Sequence, residues 1–211
     1  MAAALRWLAL GDSYTIGEAV PAAGGWPAQL AARLRDAGIA IDEPRIIATT
    51  GWTTDELSAA MDAAEPLGEW DFVSLLIGVN NQYRGRSVDD YVGEFKRLLR
   101  RAIALAGGRA DRVLVLSIPD WGVTPFAADS GRDRQAIAAA LDAYNAAARE
   151  LCWAEGVAFV DVTAISRTGE AAGMLAGDGL HPSAAQYARW AEAALPVALG
   201  LLAGGATASA G

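Results

Sequence analysis

Apolar positions along the chain alternate between two spacings. Short, mostly apolar runs at residues 5–10, 45–49, 72–77, 113–118 and 157–160 read as strands. The run at 72–77 is nearly uninterrupted, as expected for a strand covered on both faces. Between these runs the apolar residues fall at helical spacing. Leu30 and Leu34 mark a helix over 24–37 that Gly38 would stop, and Thr53 or Thr54 would cap a helix over 53–64. Val88, Tyr91, Val92, Phe95, Leu98, Leu99, Ala102 and Ile103 trace one face of a long helix capped by Ser87 and ended by Gly107-Gly108. Asp89 and Asp90 lie in its first turn and Lys96 to Arg101 nearer its end, the favourable sense for the helix dipole. Residues 133–153 form an Ala-rich helix and 183–195 the last one, which Pro196 should break or kink.

Strand–helix alternation of this kind predicts an α/β fold, a five-stranded parallel sheet between two helical layers. Residues 1–203 read as a single domain and the small, polar segment 204–211 as a flexible tail. In such sheets ligands bind beyond the carboxyl ends of the strands, so the segments after each strand are where chemistry is expected.

Composition narrows the function classes. The 211 residues are 53% apolar and 20% charged, which suits a globular protein. A net charge of −8 argues against nucleic acid or an anionic membrane as the main partner. The single cysteine, Cys152, allows no internal disulfide and no cysteine-rich zinc site, and reads as a buried helix residue; no metal and no cofactor are expected. No apolar stretch is long enough to span a bilayer. The Ala/Leu-rich start is interrupted by Arg6 and runs straight into Gly11-Asp12-Ser13, so it reads as the first strand rather than a signal peptide, and a cytoplasmic location is expected. Trp7, Trp70, Trp153 and Trp190 lie in or beside elements and read as core.

Four segments after strands carry reactive groups. Ser13 follows the first strand, where a serine either caps a turn or presents its hydroxyl and backbone N–H to one space. The residue two beyond it is Thr15, so this is not the Gly-x-Ser-x-Gly nucleophile elbow. Gly51, after the second strand, either makes a plain turn or offers an N–H to a ligand. Asn80 and Asn81, after the third, turn the chain, or Asn80 supplies a side-chain oxyanion donor. His181 is the only histidine, with Asp178 three residues earlier and Pro182 next, a proline suited to the first position of the final helix. Across that turn the Asp178 carboxylate can accept from Nδ1–H and leave Nε2 to act as a base. Asp12, beside Ser13, reads as a turn-stabilising residue rather than a second triad acid.

The combination resembles the GDSL-type, or SGNH, serine hydrolases. Gly11-Asp12-Ser13-Tyr14 is similar to their first block, with Tyr14 where leucine is usual; Gly51 matches the second-block glycine. Gly78-Val79-Asn80-Asn81 resembles the third block, Gly-x-Asn-Asp, with Asn81 replacing Asp, and Asp178-x-x-His181-Pro182 matches the fifth. The resemblance runs from residue 11 to 182 and implies a flavodoxin-like three-layer sandwich. It also implies a Ser13–His181–Asp178 triad, and an oxyanion hole of the Ser13 and Gly51 N–H groups and the Asn80 side chain. Apart from the resemblance, the lack of a signal segment and of a long apolar lid segment favours a small soluble ester with a short acyl chain as substrate.

Trp52, Tyr83, Arg84, Trp121 and Phe126 fall in loops at the same sheet edge and are candidates for substrate contact. An acyltransferase, a thioesterase or a lysophospholipase would use the same triad, and a non-catalytic flavodoxin-like binding protein would share the sheet without needing the Asp178/His181 pair. Oligomeric state is not legible in the sequence.

Overall fold

A computed structural model describes residues 3–203, apart from the side chains of residues 171 and 172. The expected tail, 204–211, lies outside the described residues. Strands β1 (Trp7–Gly11), β2 (Arg45–Ala48), β3 (Phe72–Leu76), β4 (Val113–Leu116) and β5 (Ala158–Val160) form one five-stranded sheet in the order β2-β1-β3-β4-β5. Every pairing is parallel. Strands β1, β3 and β4 are buried at every position, which only helices on both faces can achieve.

The helices are α1 (Ser13–Ile16), α2 (Trp26–Asp36), α3 (Thr54–Ala63), α4 (Val79–Tyr83), α5 (Val88–Leu105), α6 (Pro125–Asp129), α7 (Arg134–Glu155), α8 (Thr163–Ser166), α9 (Gly169–Ala172) and α10 (Ala184–Ala203). Helices α2 and α10 pack on each other, and α5 packs against α3 and α7. Helices α2, α3, α5 and α7 match the expected spans to within about two residues, with Ser87 accepting from the Asp90 N–H and Asp133 from the Gln135 N–H as caps. The short helices α1, α4, α6, α8 and α9 have too few residues to display a period.

Sheet register places the site. Gly11 at the end of β1 lies beside Ala48 of β2 and Leu76 of β3, so the loops after all three strands leave the sheet at one level. A Cβ on Gly11 would come within 2.5 Å of the Leu76 carbonyl oxygen and 2.1 Å of Thr15 Oγ1, so the first turn after β1 closes only around a glycine.

Three expectations are corrected. Helix α10 does not end at Pro196 but continues to Ala203, because Ala194, Ala198 and Leu202 keep burying one face on both sides of the proline. Pro182 is not the first helical residue: α10 begins at Ala184, and the Ser183 carbonyl accepts from the Tyr187 N–H. Trp153 is not core but 86% exposed. The buried stripe of α7 runs Ile137, Leu141, Tyr144, Ala148 and Cys152, and a residue next to Cys152 is turned about 100° away from it.

Candidate active site

The turn before α10 is organised by one carboxylate. Asp178 Oδ1 accepts the backbone N–H groups of Leu180 and His181 at 3.0 and 2.9 Å, while Oδ2 lies 2.6 Å from His181 Nδ1. A carboxylate can only accept, so Nδ1 carries a hydrogen towards Asp178, and in the neutral ring the lone pair is then on Nε2. Partial burial of Asp178 opposes ionisation, but the hydrogen bonds from the His181 ring and the two N–H groups outweigh it and hold the carboxyl below its usual range. The turn is tied down by Ala176 N–H to the His181 carbonyl at 2.8 Å and Ser183 N–H to the Met174 carbonyl at 2.9 Å. The Tyr14 ring meets the imidazole edge-on at a centroid distance of 5.7 Å.

Ser13 is the first residue of α1 and is buried. At this position its N–H has no acceptor within the helix. Asp12 is the cap, its Oδ1 accepting the Tyr14 N–H at 3.0 Å, which is the turn-stabilising role expected of it. Asp12 is fully buried and its Oδ2 has no partner. Burial pushes its carboxyl up to about 7, against the pull of hydrogen bonds from the Tyr14 and Asp12 N–H groups.

The loop between β2 and α3 presents Gly51 with φ +88°, a left-handed conformation suited to glycine. Asn80, in α4, donates through Nδ2 to the Trp52 carbonyl at 2.9 Å, which orients its amide beside that loop. Asn81 is fully buried and faces the other way: Oδ1 accepts the Thr54 N–H at 3.0 Å and Nδ2 donates to Thr54 Oγ1 at 2.6 Å.

These segments enclose a cavity of about 220 Å³. Of the residues singled out from sequence, Ser13, Gly51, Asn80, His181, Tyr83, Trp121 and Phe126 line it, joined by Tyr14, Thr50, Val79 and Leu180. Tyr83, Trp121 and Phe126 form one aromatic wall, with centroid distances of 5.4 Å for Tyr83–Trp121 and 6.1 Å for Trp121–Phe126. Trp52 and Arg84 are not among the lining residues. Trp52 packs partly buried against the core, and Arg84 pairs with Glu56 and donates to the Gly51 carbonyl. No hydrogen bond joins Ser13 to His181 among the described residues. Nor does any group of three or more His, Cys, Asp or Glu side chains among them suit a metal ion.

The lining residues missed by sequence reasoning are Tyr14 and Leu180, chain neighbours of Ser13 and His181, and Thr50 and Val79, neighbours of Gly51 and Asn80. Adjacency to the reactive positions was the available signal.

A family model described as GDSL-like lipase/acylhydrolase matches residues 9–189. The chain belongs to the GDSL-like lipase/acylhydrolase family. It is thereby an ester hydrolase of the GDSL class. Solved structures share its fold: TesA, 22% identical with a TM-score of 0.71, covering 93% of this chain and 99% of that one. The acetylxylan esterase Axe2 from Geobacillus stearothermophilus is 19% identical with a TM-score of 0.70, covering 93% of this chain and 95% of its own. A lipase/acylhydrolase from Enterococcus faecalis is 20% identical with a TM-score of 0.67, covering 92% and 93%. No curated protein sequence matches. Among the described residues no helix is long and apolar enough to cross a membrane.

Within this GDSL chain the residue at Asn81 fits its surroundings. Its Nδ2 also lies 3.4 Å from a part-buried Glu94 carboxylate oxygen, which itself accepts from Thr54 Oγ1, and an aspartate in its place would set two carboxylates side by side.

Proposed function

We propose that this protein is a serine esterase acting on small soluble esters with short acyl chains. Ser13 is the nucleophile, His181 the general base and acid, and Asp178 the carboxylate that orients it. The observation that carries this reading is the 2.6 Å Asp178–His181 contact, which leaves Nε2 unengaged by the carboxylate, with His181 lining the same cavity as Ser13.

Ser13 Oγ attacks the ester carbonyl while His181 Nε2 takes its proton; the hydrogen bond between them forms as substrate seats. The tetrahedral oxyanion receives the Ser13 and Gly51 N–H groups and the second N–H of the Asn80 amide, whose first is already held by the Trp52 carbonyl. His181 then passes the proton to the departing alkoxide, so the alcohol leaves and an acyl-Ser13 ester remains. Water attacks this ester, giving its proton to Nε2; the tetrahedral intermediate collapses, the Oγ–acyl bond breaks, Nε2 returns the proton to Ser13 Oγ, and the acid departs. The cavity of about 220 Å³, walled by Tyr83, Trp121 and Phe126, supports a compact apolar acyl group.

The test is turnover of p-nitrophenyl acetate, butyrate and octanoate, with product analysis in the presence of added alcohols. A short-chain optimum with free acid as the main product agrees with the proposal; transfer to the alcohol as the dominant course would make the protein an acyltransferase.

A further inference from the structure

We propose that Arg84 is a positioning residue for the Gly51 oxyanion donor, held on target by Glu56; this rests on the reading of Ser13 and Gly51 given above. Arg84 follows α4 directly. Its Nη2 donates to the Gly51 carbonyl at 2.7 Å and its Nη1 to Glu56 Oε1 at 3.0 Å. Glu56 Oε2 in turn accepts the Thr53 N–H at 2.8 Å, at the start of α3. One guanidinium and one carboxylate therefore tie the peptide after Gly51 to the first turn of the following helix.

Gly51 needs such a tie. Beyond Gly51 itself and its two chain neighbours, no heavy atom lies within 4 Å of where a Cβ would stand, so packing against the rest of the protein does not fix its backbone. Glycine also has the widest conformational freedom of any residue. What holds it are a turn bond and two flanking hydrogen bonds: the Trp52 N–H donates to the Thr49 carbonyl at 3.2 Å across Thr50-Gly51, Thr50 Oγ1 donates to the Glu18 carboxylate on one side, and Arg84 grips the Gly51 carbonyl on the other. Together they fix the torsions about the Gly51 Cα, and with them the direction of its N–H. An oxyanion donor acts only if it already points where charge will develop.

The Arg84–Glu56 pair is well exposed, with 43% and 39% of the two side chains accessible, and a pair of that kind contributes little to global stability. Its effect on the loop is therefore separable from its effect on folding. Arginine suits the task because its planar fork offers two donors at a fixed angle to two acceptors, which an ammonium group does not.

The experiment compares Arg84→Gln, Arg84→Lys, Glu56→Gln and Ser13→Ala with wild type on p-nitrophenyl butyrate. Readouts are kcat, KM, thermal midpoint and the affinity of an alkylboronic acid, which mimics the tetrahedral state on a nucleophilic serine. Arg84→Gln should lower kcat about 10-fold with KM within about twofold, the scale of a misplaced catalytic donor. Boronate affinity should fall in parallel, and the midpoint should move by only about 2 °C. Arg84→Lys should recover part of the loss, and Glu56→Gln should lower kcat about threefold by loosening Arg84. Wild-type kcat in Arg84→Gln overturns the proposal. So does a kcat loss that Arg84→Lys does not relieve and that comes with a large fall in midpoint. Should Arg84→Gln fail to fold, wild-type kcat in Glu56→Gln overturns it. An inactive Ser13→Ala beside an unaffected Arg84→Gln removes the positioning role alone, whereas an active Ser13→Ala removes the esterase reading and this proposal with it.

Discussion

Asp178 binds His181 twice, at the ring through Oδ2 and at the backbone through Oδ1, so one carboxylate fixes both the position and the tautomer of the imidazole. The two roles can be separated. Asp178→Asn keeps an oxygen for the N–H groups of Leu180 and His181 but loses the ionised acceptor for Nδ1–H. The expected outcome is a folded protein whose kcat falls on the order of 10⁴-fold, as for the equivalent change in other Ser-His-Asp sites. Steady-state kinetics beside a circular dichroism spectrum checks this.

The Asn80 amide is already oriented by the Trp52 carbonyl. Asn80→Ala removes the only side-chain donor assigned to the oxyanion and should lower kcat by about 10²–10³ with a much smaller change in KM. A loss confined to KM would mean that Asn80 binds substrate and transition state alike.

Asp12 predicts an unusual stability profile. Burial pushes its carboxyl up to about 7 in the folded protein against an ordinary 3.8 in the unfolded chain, so between those values the folded state holds a proton that the unfolded chain has released. This contribution is fully present below pH 3.8 and is lost as pH rises through about 7, where burying the charged form opposes folding. Asp12→Asn keeps the acceptor for the Tyr14 N–H and removes the charge. Its thermal midpoint relative to wild type should climb from pH 4.5 to about 7 and level off above that, measured by calorimetry; a pH-independent difference would show that Asp12 is not titrating in this window.

The aromatic wall predicts chain-length selectivity. Tyr83 and Phe126 remain 39% and 38% exposed, so truncating Phe126 opens the cavity without emptying the core. Phe126→Ala should raise the octanoate-to-butyrate ratio of kcat/KM about 10-fold, the scale of one or two methylene contacts, with little change in thermal midpoint.

Much of the architecture was readable because parallel strands buried on both faces are continuous apolar runs, and β1, β3 and β4 are buried throughout. The cavity residues were readable because Ser13, Gly51 and Asn80 lie just beyond strands whose ends the register brings level. Side-chain direction in loops was not: Trp52 and Arg84 sit at the same sheet edge as Tyr83, yet no periodicity tells which way a loop residue turns. Trp153 misled for a different reason. Its hydrophobicity suggested burial, whereas the spacing Tyr144, Ala148, Cys152 already placed it off the buried stripe. At Pro196 the burial of Ala198 and Leu202 beyond the proline outweighed its local preference to end a helix.

The most direct measurement of the central claim is the site of covalent capture by a fluorophosphonate, mapped by mass spectrometry in wild type, Ser13→Ala and His181→Gln. The prediction is one adduct, on Ser13, absent in Ser13→Ala and formed far more slowly in His181→Gln, with esterase turnover lost in the same order. An adduct on another residue, or a Ser13→Ala protein that still reacts and still turns over substrate, would contradict it.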